Sequence, residues 1–244
     1  MNRVLCLSAA FLLFTTFPCQ AGFLDDLSRK ILQPAKQQAS LDDSTIAKGL
    51  KEALATGTER AVAGVARTDG YFGNELIKIF LPDKVQQAAN VLGTLGYQQQ
   101  VDDVVLAMNR AAEKAAPKAA AFFGDAIRKM TVEDAKGILS GGDTAATEFF
   151  GKKTRSQLFD AFKPAVAKSM DQTGTARAYK EMIGKYDVTP LAAFAGVPSL
   201  DLDAYVTNRA LDGLFKMVAE EEKNIRTNPA ARTTELMRKV FGNR

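Results

Sequence analysis

The sequence predicts an all-α protein, a single multi-helix domain of about ten helices that follows a cleaved signal peptide. Three observations carry this. Apolar residues recur at helical spacing through nearly every segment, and the punctuation between segments is that of helix ends. No hairpin turn joins two alternating β-branched runs.

Taken in order, Met1-Asn2-Arg3 is a short positive start, Val4 to Phe17 is Leu- and Phe-rich and uncharged, and "PCQAGF" follows. This is the pattern of a secretory signal, with cleavage expected after Ala21. The apolar run is too short to span a bilayer core, which needs roughly 20 residues. Cys19 offers a second reading as the lipidated cysteine of a lipoprotein, but Thr16-Phe17-Pro18 is not the small, aliphatic triplet that such a cysteine follows. The expected organisation is therefore a signal at 1–21, a mobile amphipathic lead at 22–41 and an all-α domain at 42–244, exported to the periplasm.

Within the domain, Ser40-Leu41-Asp42-Asp43 has the form of a capping box, and helix is expected over 43–67. Gly49, Ala53, Gly57, Ala61 and Gly64 share one face of it, through close approach of another helix or room left for a ligand. The run "LIKIFLP" (76–82) has extended character but no strand to pair with. Helices follow over 83–95, 98–115, 118–129 and 132–139, the last opened by the box Thr131 to Asp134. Gly141-Gly142 and Gly151 mark stops, so 144–150 and 155–172 are read as separate helices, the second opened by Thr154 to Gln157. After 175–184 and the long loop 185–199 comes 200–226, with a broad apolar face from Val206 to Ile225 and an end solvated by "EEEK" (220–223). Asn228-Pro229 caps a last helix over 229–241.

Composition closes several chemistries. The chain has no histidine, and its two cysteines, Cys6 and Cys19, both leave with the signal. The mature chain would then be cysteine-free, which removes disulfides, thiolate or imidazole zinc sites and Ser-His-Asp or Cys-His catalysis. No metal site and no cofactor is expected. The 32 Lys+Arg against 28 Asp+Glu fall to 31 against 28 without Arg3. Five cations against one acid sit in 224–244, so the rest of the mature chain is close to neutral.

The segments "AKGLKEAL", "VDDVVLAMNRAAEKAAP", "MTVEDAKGILSGGDTAATEFF", "DLDAYVTNRALDGLFKMVAEEEKNIR" and "NPAARTTELMRKVFG" together resemble the bacterial family called domain of unknown function 4197, over roughly residues 42–244. The resemblance implies a secreted, mostly helical Gram-negative protein with a signal peptide or a lipoprotein signal. It brings no activity and no catalytic residues.

Two constellations stand out. Asp102, Asn109, Arg110 and Glu113 crowd the flank of the stripe Val101, Val104, Val105, Met108, Ala112. They form either a solvated flank, a polar network that fixes packing, or a carboxylate site. Arg232, Arg238 and Lys239 accompany Leu236, Met237, Val240 and Phe241 in the last helix, which can touch an anionic membrane surface or an acidic partner, or dock on its own core. Nucleic acid is not expected, since no basic-aromatic patch is interleaved. Asp201 and Asp203 lack the further oxygen ligands of a calcium loop, and "GGD" (141–143) lacks the lysine of a phosphate loop. The function that fits is a non-enzymatic envelope protein that binds a protein or envelope partner, a membrane surface or an apolar ligand. The alternative is a carboxylate-dependent periplasmic hydrolase.

Overall fold

Helix α1 (Asp43–Ala66) begins where the Asp42 carboxylate accepts from the Thr45 amide, one residue pair inside the cap expected at Ser40. The computed structural model describes residues 42–242 apart from 176, 180, 182, 183 and 185–200. The expected signal peptide with both cysteines, the expected amphipathic lead and the expected loop at 185–199 lie outside the described residues, as does part of the helix expected at 175–184. The chain divides into two units, Met1–Ser40 and Leu41–Arg244, and all the described residues belong to the second.

After α1 come α2 (Asp83–Leu92), α3 (Gln98–Ala115), α4 (Ala119–Lys129), α5 (Val132–Ser140), α6 (Ala145–Gln172), α7 (Leu202–Thr227) and α8 (Glu235–Phe241). The described residues contain no strand, and they hold fewer helices than the ten or so expected. One reason is α6. The expected break at Gly151 does not occur, and Thr154, read as a cap, lies inside the helix with its hydroxyl donating to the Phe150 carbonyl. Gly151 and Pro164 oppose helix by about 1 and 3 kcal/mol. The stripe Ala146, Phe150, Thr154, Leu158, Phe162, Val166, Met170 is buried without interruption. Each large apolar member contributes about 1.5–3 kcal/mol, so burial outweighs both breakers.

Helices α6 and α7 pack along each other, with α1 on α7 and α3 on both. Helices α4, α5 and α8 flank α1. Phe123 of α4 meets Phe150 of α6 at a tilt and Phe215 of α7 edge to face, all three buried. The junction of α5, α6 and α7 is polar. Glu222 is buried, and its carboxylate accepts from the Ala146 and Thr147 amides at the start of α6, 2.9 Å each. Arg226 holds the same carboxylate at 2.8 Å and donates to the Ile138 carbonyl at the end of α5. The acid-rich end of α7 is thus partly interior: Glu222 serves the positive N-terminus of α6 instead of meeting water.

The small-residue face of α1 is explained by close packing. A Cβ on Gly49 would lie 2.5 Å from Val240 Cγ2 of α8, and one on Gly57 3.3 Å from Ile225 Cδ1. Gly64 faces open space. The crevice beside Leu50, Ala53, Gly57 and Phe150 measures about 20 Å³, room for one water and too small for an organic ligand.

The C-terminal segment departs from the continuous helix expected over 229–241. Asn228 caps a short 3₁₀ turn (Pro229–Ala231), and Thr234 opens α8 by accepting from the Met237 amide. Between them Arg232 turns inward.

Candidate functional site

The link from α1 to α2 is a folded segment held by α3. Asp69 takes a positive φ of 63°, and Gly70 follows because a Cβ there would meet the Val65 carbonyl at 2.5 Å. This turn aims the Tyr71 and Phe72 amides at Glu113 Oε1, 3.1 and 3.3 Å away. Glu113 Oε2 accepts from Arg110, which also donates to Asp69, each at 2.7 Å. Those hydrogen bonds, Glu113 first, hold the Arg110 guanidinium pKa above its ordinary value. The Tyr71 ring is fully buried against Gly213 of α7, where a Cβ would come within 2.7 Å of Cε1, and its hydroxyl donates to the Ala210 carbonyl at 2.6 Å. Burial, and then the Glu113 charge, push the phenol pKa far upward.

The Asn74 carbonyl closes a turn by accepting from the Ile77 and Lys78 amides, the chain is extended from Lys78 on, and burial alternates from Leu76 to Leu81. Ile77, Ile79 and Leu81 are buried, whereas Leu76 and Phe80 are 60% and 53% exposed. The period is that of a strand, and the partner is a side chain. Asn109 accepts from the Ile79 amide and donates to the Ile79 carbonyl, both at 2.8 Å, and donates again to Val105 within its own helix.

The other edge of this segment faces α7 across a cleft of about 340 Å³. Tyr205 donates to the Phe80 carbonyl at 2.9 Å, and Lys216 reaches the Leu76 carbonyl at 3.4 Å. Lys78, Arg209 and Lys216 line the cleft. Lys78 sits 4.0 Å above the Phe72 ring and Arg209 5.5 Å from the Tyr205 ring. Among the described residues none of these three cations pairs with a carboxylate. Of the acids in the cleft, Asp212 is taken by Arg155 at 2.6 Å, and Asp83 lies in the first turn of α2. Leu76 and Phe80, two of the three exposed large apolar side chains among the described residues, stand at this rim. The arrangement is cationic and aromatic, suited to an anion carried on a partly apolar body.

Of the polar cluster expected from the sequence, Asn109, Arg110 and Glu113 converge on the 69–79 segment. Asp102 does not join them: it is exposed and bonds Gln98 at 2.8 Å. Of the basic residues expected on the last helix, Arg232 lies off α8 and is buried, donating to the Ile225 and Arg226 carbonyls at the end of α7 at 3.0 and 2.8 Å. Arg238 and Lys239 are exposed on α8, Lys239 paired to Glu235 at 2.8 Å, while Met237, Val240 and Phe241 are buried with α8 packed on α1. Lys78, Phe80, Tyr205, Arg209 and Lys216 do not stand out in the sequence. Their signal is faint: an outward Lys and Phe in "LIKIFLP", and polar positions spaced along the solvent side of α7.

Fold and site together define an all-helical protein whose clearest surface feature is a cationic groove between α7 and an extended segment. The family model described as protein of unknown function (DUF4197) matches residues 40–242, in agreement with the resemblance carried by the sequence segments, and the chain belongs to that family. No curated protein and no solved structure matches it.

Proposed function

We propose that this is a non-enzymatic envelope binding protein, exported to the periplasm, whose groove between 76–83 and α7 receives an anionic partner. One observation carries the reading: Lys78, Arg209 and Lys216 meet at one cleft without a carboxylate partner among the described residues. Unpaired cations on an otherwise near-neutral body concentrate a positive field where an acidic group can dock. The signal-like N-terminus supports the compartment. The hydrolase alternative draws no support from Asp102 and Glu113, since Asp102 is exposed beside Gln98 and both Glu113 oxygens are occupied by donors of the chain.

Isothermal titration of the full chain against polyglutamate, with polylysine as control, tests the binding reading. The expected result is polyglutamate binding that weakens with salt, as surface electrostatics must, and that disappears in the Arg209→Glu/Lys216→Glu double variant. Binding that the double variant retains, or none in the parent, refutes the assignment. Recovery of the chain in an osmotic-shock fraction with Gly22 at its N-terminus checks the compartment, and retention in the cytoplasm with Met1 in place refutes it.

A further inference from the structure

The wall of the groove is a backbone edge with an unused donor and acceptor. The Ile77 and Lys78 amides both donate to the Asn74 carbonyl in a turn, and beyond it burial alternates from Lys78 to Leu81, so successive peptide groups there point to opposite sides. The N–H and C=O of Ile79 both face α3, where Asn109 takes them. The Lys78 carbonyl and the Phe80 amide therefore face away from α3, on the side where Tyr205 of α7 reaches the Phe80 carbonyl. Among the described residues neither the Lys78 carbonyl nor the Phe80 amide has a partner. A carbonyl at one residue and an amide two residues on are the pair with which a strand receives one residue of a parallel neighbour.

We propose that the groove takes an acidic polypeptide segment in extended form, added as a short strand against Lys78 to Phe80. The inference rests on the binding reading above and specifies its ligand. The guest residue opposite Ile79 donates to the Lys78 carbonyl and accepts from the Phe80 amide, the mode in which main-chain bonds hold the peptide and side chains select it. Pro82 ends the edge, so the guest gains one such bridge and depends on its side chains for the rest. Those side chains meet a built complement. Arg209 and Lys216 lie two turns apart on α7, about 10.5 Å along the axis, while one face of a strand repeats every ~6.8 Å. The ~3.7 Å difference between the two spacings is taken up by the long Arg209 and Lys216 side chains, so acids at alternate positions of the guest reach both cations, with Lys78 beside them and Leu76 and Phe80 as an apolar rim. Phosphate polymers or lipid head groups would use the cations, and a phosphate oxygen the Phe80 amide, but would bring no N–H to the Lys78 carbonyl.

Fluorescence anisotropy of the full chain with a labelled, end-blocked Glu-Val-Glu-Val-Glu-Val-Glu peptide tests this. Two further peptides carry N-methyl groups on all valines or on all glutamates. Because alternate amides of a strand face the same edge, methylation of one set raises Kd about tenfold, the loss of a hydrogen bond, and methylation of the other leaves it unchanged. The Phe80 amide gains hydrogen-exchange protection in the complex, and the Lys-for-Glu peptide does not bind. Equal response to the two methylated sets, with no protection at Phe80, overturns strand addition while polyglutamate binding keeps the anionic groove standing. A peptide that fails to bind while anionic vesicles or an oligonucleotide bind in a manner sensitive to Arg209→Glu/Lys216→Glu overturns the polypeptide ligand. Failure of the peptide and of polyglutamate together removes both readings.

Discussion

Replacing Asn109 by alanine removes the side chain that stands in for a neighbouring strand at Ile79. Asn109 is fully buried and Ile79 is 1% exposed, so the freed amide and carbonyl of Ile79 have no ready access to water. Each buried backbone group left without a partner costs about 1–3 kcal/mol, which places the variant about 2–6 kcal/mol below the parent. The Val105 carbonyl adds little, since its helical bond remains. Against a total stability of about 5–15 kcal/mol for a domain, this is a large share. Urea unfolding measures it, and hydrogen exchange at the Ile79 amide locates it: protection there falls first, ahead of the helices. The Asn109→Asp variant refines the argument. It keeps an acceptor for the Ile79 amide but turns oxygen, in place of a donor, toward the Ile79 and Val105 carbonyls. Its carboxyl is consequently held protonated more readily in the folded state, so the variant regains stability as pH falls and loses it as pH rises. An Asn109→Ala cost below about 0.5 kcal/mol, with the Ile79 amide still protected, would show that the side chain does not hold the segment.

Three further outcomes are expected. Gly49→Ala forces α8 away from α1 and costs about 1–3 kcal/mol, whereas Gly64→Ala, with open space at its Cβ, gains about 0.5–1 kcal/mol; thermal denaturation of the pair gives opposite signs. Tyr71→Phe loses the bond to Ala210 and costs about 1 kcal/mol at neutral pH. Because the folded phenol is pushed well above its ordinary value of 10.0, its contribution is intact below that pH and is lost as pH rises beyond it. Parent stability falls by up to about 1.4 kcal/mol per pH unit there; the variant lacks this fall, so urea unfolding at alkaline pH sees the gap between them close, and a constant gap contradicts the assignment. Arg232→Ala strips two carbonyls at the end of α7 of a charged donor and costs about 2–4 kcal/mol in urea unfolding; a neutral effect would mean that water replaces the guanidinium at no cost.

Periodicity made most of the helices legible, since an apolar stripe at helical spacing needs no knowledge of what it packs against. The box at Thr131 was equally plain, because its chemistry is complete within four residues: Thr131 accepts from the Asp134 amide and the Asp134 carboxylate from the Thr131 amide, each at 3.0 Å. The misreadings lie where a distant partner decides. Gly151 stops a helix unless Phe150 and Leu158 have a core to enter. Arg232 belongs on a surface unless the end of α7 presents carbonyls to it, and Glu222 belongs in water unless the start of α6 lies beside it. The same reason hid the most consequential pairing. In the sequence "LIKIFLP" is extended with no strand to pair with, and Asn109 belongs to a polar cluster open to three readings, a packing network among them, with no partner named for it. Each lacked what the other supplies: a planar amide carries one donor and one acceptor, the complement of a single strand residue. Because Asn109 satisfies only the inner edge at Ile79, and Tyr205 only the Phe80 carbonyl of the outer edge, the Lys78 carbonyl and the Phe80 amide stay open. A full neighbouring strand could have continued into a sheet, but one side chain pins the segment and leaves its far side, with the cations of α7 opposite, available to a second chain.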